Sequence, residues 1–295
     1  MYTFKKRCKL FAVALAFFLC LFPAPARADA TGANALTPFA GEVKPWNRGA
    51  PETGAPETGT PVGLEFSPAC QIRAGIAPHH GLASEMTARF YDNLPGNIER
   101  VILIGPDHFG AGRRFITLCP LPWRAGNGIL ETDDGAVSAL SRTGAVGVES
   151  LPFRLEHSIG LHIVFIGRYF PDAKVTALMV NNAAPFRELS IIVPVLSELL
   201  SEKGTLLILS MDFSHDKMPE EATREDDKSV GSLLSFRAEA IRGLDIDAPA
   251  AAWLFLEVLK SRGIKDSFVL ERTNSGEIIG RPDLPCTSYA TMLFR

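Results

Sequence analysis

The chain of 295 residues carries six histidines: His79, His80, His108, His157, His162 and His215. Imidazole changes charge near neutral pH and is the usual nitrogen ligand of iron, copper and zinc. Proton transfer and metal binding are therefore the chemistries to look for. His79 and His80 stand in Ala77-Pro78-His79-His80-Gly81, His108 in Ile104-Gly105-Pro106-Asp107-His108, and His215 in Ser210-Met211-Asp212-Phe213-Ser214-His215. Each stretch follows a short aliphatic run. A fourth stretch, Glu156-His157-Ser158-Ile159-Gly160-Leu161-His162, places two imidazoles five residues apart. On a helix that is about 140° of rotation, too far for both to reach one metal from the face that an i, i+4 pair shares. One of Glu156 and His157 is expected in the pocket, at a helix start where a carboxylate suits the dipole. His162 is expected to face the core or to support a ligand histidine from behind. Glu277, in Thr273-Asn274-Ser275-Gly276-Glu277, is either a carboxylate at the same edge or a turn residue in solvent.

The elements that must position these residues follow from hydrophobic period. Strands are expected at 72–77, 100–105, 115–121, 174–180, 205–210, 267–272 and 287–294. Helices are expected at 83–94, 133–142 (capped by Thr132), 156–169, 187–202, 220–243 and 249–262. Alternating strands and helices with almost continuous apolar strands predict an α/β fold with a mostly parallel central sheet covered by helices on its faces. In such folds function sits on the loops leaving the carboxyl ends of the strands. His79, His108 and His215 fall at three such ends, so residues far apart in sequence can converge on one edge.

The rest of the chain sets the setting of that domain. Lys5, Lys6 and Arg7, the apolar run Leu10 to Phe22, and Ala26-Arg27-Ala28 form the pattern of a secretory signal peptide at 1–28, which implies export to the periplasm. The run is too short to span a bilayer, which takes about 20 apolar residues, so no membrane span is expected after cleavage. Residues 29–66 hold the near-repeat Gly49-Ala50-Pro51-Glu52-Thr53 and Gly54-Ala55-Pro56-Glu57-Thr58 and read as a flexible linker. A single α/β domain is expected over 67–295. The net charge of −3 and the lack of a basic run argue against a nucleic-acid partner. Cys70, Cys119 and Cys286 show no metal-binding spacing.

Together these motifs resemble the Memo-like family, including bacterial proteins named component B of the AmmeMemoRadiSam system. The stretches that carry the resemblance are A-P-H-H-G at 77–81, I-L-I-G-P-D-H at 102–108, E-H-S-I-G-L-H at 156–162, S-M-D-F-S-H at 210–215 and T-S-Y-A at 287–290. The resemblance implies a three-layer α/β/α sandwich similar to the catalytic subunit of class III extradiol dioxygenases. It also implies a divalent metal held by His79, His108 and His215, with Asp212 as the acidic residue before the last histidine. Some members carry a cysteine as a further ligand. This chain has none at that place, and Glu277 would supply a carboxylate there instead. Two histidines and a carboxylate suit non-haem iron, with copper and zinc as alternatives. His215, His157 and Asp212 are then the candidates for catalytic proton transfer. The family's H-A-G-Y is His79-His80-Gly81-Leu82 here, so an aromatic residue is replaced and an imidazole gained. The expected ligand is an unidentified small molecule or peptide. The alternative is a metal-free binding module on the same fold.

Overall fold

Aliphatic runs become the interior strands of one sheet. The computed structural model describes residues 35–38, 72–126 and 128–295. Its strands are β1 (Ala74–Ala77), β2 (Arg100–Pro106), β3 (Ile116–Leu118), β4 (Trp123–Ala125), β5 (Gly128–Leu130), β6 (Val146–Val148), β7 (Lys174–Val180), β8 (Thr205–Ser210), β9 (Ser267–Asn274) and β10 (Ser288–Phe294). Eight of them form a sheet in the order β6-β3-β7-β2-β8-β1-β10-β9, and β4 with β5 makes a separate hairpin. The central strands β7, β2, β8 and β1 run parallel. The carboxyl ends of β1, β2 and β8 therefore lie on one edge. β10 runs antiparallel to β1 and β9 antiparallel to β10, so the start of β10 and the end of β9 meet that same edge.

The strands alternate between two cores. Val101 and Leu103 of β2 face one, Ile102 and Ile104 the other. The helices are α1 (Ser84–Asp92), α2 (Asp134–Ser141), α3 (His157–Tyr169), α4 (Phe186–Leu189), α5 (Val193–Ser201), α6 (Pro219–Leu234), α7 (Pro249–Ser261) and α8 (Ser275–Ile278). Apolar residues of α1 and α3 (Phe90, Tyr91, Ile159, Ile163) fill the first core. Those of α5, α6 and α7 (Leu196, Leu233, Phe255) fill the second. With both faces of the sheet covered, burial of apolar surface holds the strands from both sides.

Several local expectations are corrected. The helix expected over 187–202 is two helices, α4 and α5. Pro194 lies in the first turn of α5, where a missing N–H costs nothing, whereas inside one long helix it would break the ladder. The cap of α2 is Asp133, whose carboxylate accepts the amide of Ala136 at 3.1 Å. Thr132 instead bridges to Val175 beside the sheet. The end of the helix expected over 220–243 is a separate 3-10 segment, Ala238–Gly243, after Phe236 takes a left-handed backbone with φ of 53°. The region read as signal peptide, most of the linker and Cys70 lie outside the described residues. Within the linker stretch, Leu36 is buried and exchanges backbone hydrogen bonds with Pro122 and Arg124 of the hairpin. Among the described residues no helix is long and apolar enough to cross a membrane, and Cys119 and Cys286 are free and buried.

Candidate metal centre

The parallel strands release their chains into the site through turns. Past β1 the backbone passes Pro78 to His79, past β2 it passes Pro106 and Asp107 to His108, and past β8 it passes Met211 to Asp212. A fourth segment, leading into α7, brings Asp247. The ligand atoms of His79, His108 and His157 lie within 4.8 Å of one another, and so do those of His79, Asp212 and Asp247. His79 belongs to both groups, so the two make one centre.

Each histidine is held by its far nitrogen. His79 Nδ1 lies 2.9 Å from the Ser210 hydroxyl, which itself donates to the Ser158 carbonyl at 2.6 Å. The hydroxyl hydrogen being spent there, Ser210 accepts from His79, and Nδ1 carries the proton. His108 Nδ1 donates to Glu156 Oε1 at 2.7 Å, since an ionised carboxylate only accepts. Both Nε2 atoms are thereby left for the centre, the arrangement that orients a metal-ligating imidazole. They converge on Asp247 Oδ2, at 2.9 Å from His79 and 3.4 Å from His108. Two ligand atoms each about 2.1 Å from a common ion stand roughly 3.0 Å apart at a right angle and roughly 3.4 Å apart at the tetrahedral angle. Each of these two carboxylate–imidazole separations is one that a pair of ligands on a first-row divalent ion can show. His157 stacks on His108 with centroids 4.6 Å apart and meets His79 edge-on at 5.2 Å.

The charges agree with the geometry. Burial alone would lower the pKa of His79, but Asp212 and Asp247 outweigh it and raise it. Burial likewise opposes the charged form of His108, yet its bonds to Asp247 and Glu156 lift it to about 10. Asp247 is held well below the usual carboxylate range, because the two imidazolium charges outweigh its burial. Burial, followed by those same two charges, pushes His157 down to about 4. Burial, with Asp247 adding to it, pushes Asp212 up. Without a metal the donor set thus gathers protons around one carboxylate, in the place a dication would take.

The profile of the Memo-like protein family matches residues 60–293. The chain belongs to the Memo-like family. A MEMO1 family protein of Pyrobaculum arsenaticum is 26% identical over 236 residues, covering 75% of this chain and 82% of that one. The MEMO1 family protein MK0963 of Methanopyrus kandleri is 27% identical over 244 residues, covering 77% and 84%. Among solved structures, the uncharacterized protein JW3007 of Escherichia coli K12 aligns at 14% identity with a TM-score of 0.48, over 74% of this chain and 98% of that one.

In this Memo-like chain the remaining sequence candidates fall at the rim. His215 is exposed and belongs to neither ligand group among the described residues. Its Nδ1 donates to the Phe213 carbonyl at 2.7 Å, which leaves Nε2 free to accept a proton. Glu277 sits in α8, its amide bonded to Asn274 and its carboxylate to the Thr273 hydroxyl at 2.7 Å. It too joins neither group. Both Glu156 and His157 enter the site, where the sequence reading expected one. The carboxylate that His79 and His108 meet is Asp247, which that reading missed. Its only sequence signal is the turn Leu244-Asp245-Ile246-Asp247-Ala248 between two helices, closed by Pro249 at the start of α7.

His162 points away from His157, as their spacing requires. It is fully buried, and its Nδ1 lies 3.0 Å from the Tyr91 hydroxyl. Burial pushes its pKa down to about 3, so it is a neutral core histidine. Tyr91→Phe would leave that nitrogen without its partner in the Memo-like core. We expect a stability loss of about 1–3 kcal/mol, read as a lowered denaturant midpoint with unchanged slope. An unchanged midpoint would show that the bond contributes nothing.

Proposed function

We propose that the chain is an exported, metal-dependent protein, with iron first, or copper, for redox chemistry and zinc as the alternative that would bring Lewis acidity alone. The ion is held by His79, His108 and Asp247, with His157 as a further imidazole ligand. The observation that carries this reading is the convergence of two oriented Nε2 atoms on one buried carboxylate, at separations a single ion can bridge. Two histidines and a carboxylate with remaining positions open are the donor set of non-haem iron, and this is also what supports the likeness to extradiol dioxygenases. Iron or copper, when bound, would supply one-electron redox chemistry and Lewis acidity, and zinc would supply Lewis acidity alone.

The chain's own residues do the rest. Glu156 and Ser210 fix the tautomers of His108 and His79. Asp212, with its raised pKa, is a carboxyl that can give up a proton inside the site. His215 Nε2 is the proton acceptor at the rim. Elemental mass spectrometry on protein purified without chelators tests the reading. About one iron, copper or zinc per chain is expected, lost in His79→Ala and His108→Ala and kept in Glu277→Ala. A wild-type protein without metal, even after anaerobic addition of Fe(II), would overturn it and leave the metal-free binding module.

A further inference from the structure

The residues of the centre differ in exposure: the His79 and Asp212 side chains are 2% exposed, whereas those of His108 and His157 are 26% and 32% exposed. The two more exposed residues are flanked in the chain by residues of a cleft of about 880 Å³, within the range of roughly 300–1,000 Å³ that small-molecule sites occupy. Its lining adjoins the centre along the chain. Phe109 follows His108 in the chain, and Leu155 precedes Glu156, whose carboxylate holds His108.

Two features of the lining point to a ligand. Leu151, Phe109 and Leu155 are the three most exposed large apolar side chains among the described residues, at 73%, 62% and 61%, and all three line this one cleft. Scattered apolar residues on a surface need no explanation, but a clustered set beside a polar centre does. The charges of the lining are also unbalanced. Arg113 and Glu149 neutralise each other through a bond of 2.7 Å between Nε and Oε2, with the Arg113 amide also on Oε1. That leaves Arg154, which is exposed and forms no ion pair among the described residues. Two arginines less one carboxylate make a net charge of +1 on an apolar wall.

We propose that this cleft binds an amphipathic organic carboxylate of small-molecule size. Its anionic group is taken by Arg154, its apolar body lies on Phe109, Leu151 and Leu155, and it is presented beside His108 and His157. A guanidinium matches a carboxylate with paired donors, which an amide ligand cannot reproduce. That the ligand approaches a metal rests on the function proposed above; that it binds the cleft does not.

The test uses the full chain and 1-anilinonaphthalene-8-sulfonate as a fluorescent probe, displaced by 4-phenylbutyrate or by its neutral amide. In the wild type the acid is expected to displace the probe at about tenfold lower concentration than the amide. Arg154→Gln should remove that preference. Leu151→Ser and Leu155→Ser should weaken acid and amide together, while Ile191→Ser, at an exposed apolar residue outside the cleft, should change neither. Equal displacement by acid and amide in the wild type, or an equal loss in Ile191→Ser, would overturn the proposal. So would a probe signal that follows self-association of the chain in sizing runs, which would make the cleft a contact between copies. Phenylbutyrate should also shift the visible absorption of the Co(II)-loaded protein. Binding that depends on Arg154 without such a shift would overturn the approach to the centre. If Co(II) does not bind at all, the metal reading fails, while the acid–amide difference still decides the cleft.

Discussion

Asp247→Asn is expected to weaken metal binding by more than about 100-fold while leaving the fold intact. Oδ2 is the atom on which both oriented imidazoles converge, at 2.9 and 3.4 Å. Oδ1 accepts the Asp212 amide at 3.0 Å, a bond that asparagine can keep through its own carbonyl. The substitution therefore removes charge and a ligand atom with little change of shape. Supporting partners of metal ligands are typically worth 10–100-fold in affinity, and Glu156→Gln belongs in that range because it reaches the centre through His108 and supplies no ligand atom of its own. A ligand carboxylate should cost more than its supporting partner. Competition with a chromophoric chelator at one pH, on wild type and both variants, measures the order. A loss in Asp247→Asn smaller than that in Glu156→Gln would show that Asp247 is not a ligand.

The second large effect is on pH. His108 is raised to about 10, with its bonds to Asp247 and Glu156 overcoming burial. Below that value the metal-free site holds a proton on the imidazole that the ion needs as a lone pair. Binding must release it, together with any proton that the raised His79 still holds, so apparent affinity rises with pH by at least about tenfold per unit while His108 is protonated, and levels off near pH 10. The sign is that of a raised pKa: the proton stabilises the empty site on the acid side, and its hold fades as pH climbs. Calorimetric titration of the metal in buffers of different ionisation enthalpy should count the released proton directly. In Asp247→Asn the pull on that proton weakens, so the slope should flatten at a lower pH. A wild-type affinity independent of pH between 7 and 9 would show that no ligand imidazole holds a proton in that range and would overturn the raised pKa of His108.

Much of this centre is legible in the sequence. The strands 174–180 and 205–210 fall where the aliphatic runs place them, because a strand buried on both faces leaves little freedom in its composition. The convergence of His79 and His108 follows from that topology alone. Glu277 and Asp247 show where such reading stops. Glu277 does stand at the correct edge, since β9 ends there, but a local hydroxyl four residues away, on Thr273, satisfies its carboxylate. Asp247 comes from a loop between two helices on one face of the sheet, and neither period nor cap marks it. Its place is fixed by reciprocal bonds with Asp212, amide to carboxylate and amide to carbonyl, contacts between segments that no local pattern encodes. The two-part helix at 186–201 and the hairpin β4–β5 were missed for a related reason: each is set by its packing as much as by its own residues.

Glu156 serves two masters with one carboxylate. Oε1 accepts both the Ser158 amide, which starts α3, and His108 Nδ1, while Oε2 accepts the His108 amide. The first turn of α3 and the orientation of the His108 imidazole are therefore the same set of bonds. An ion that draws electron density from His108 strengthens its hold on Glu156, and with it the anchor of the helix. Hydrogen exchange should make this visible: the amides at the start of α3 slow when the site is loaded, although none of them touches the metal. The helix would then be the stretch of backbone that carries the state of the centre into the core beneath it.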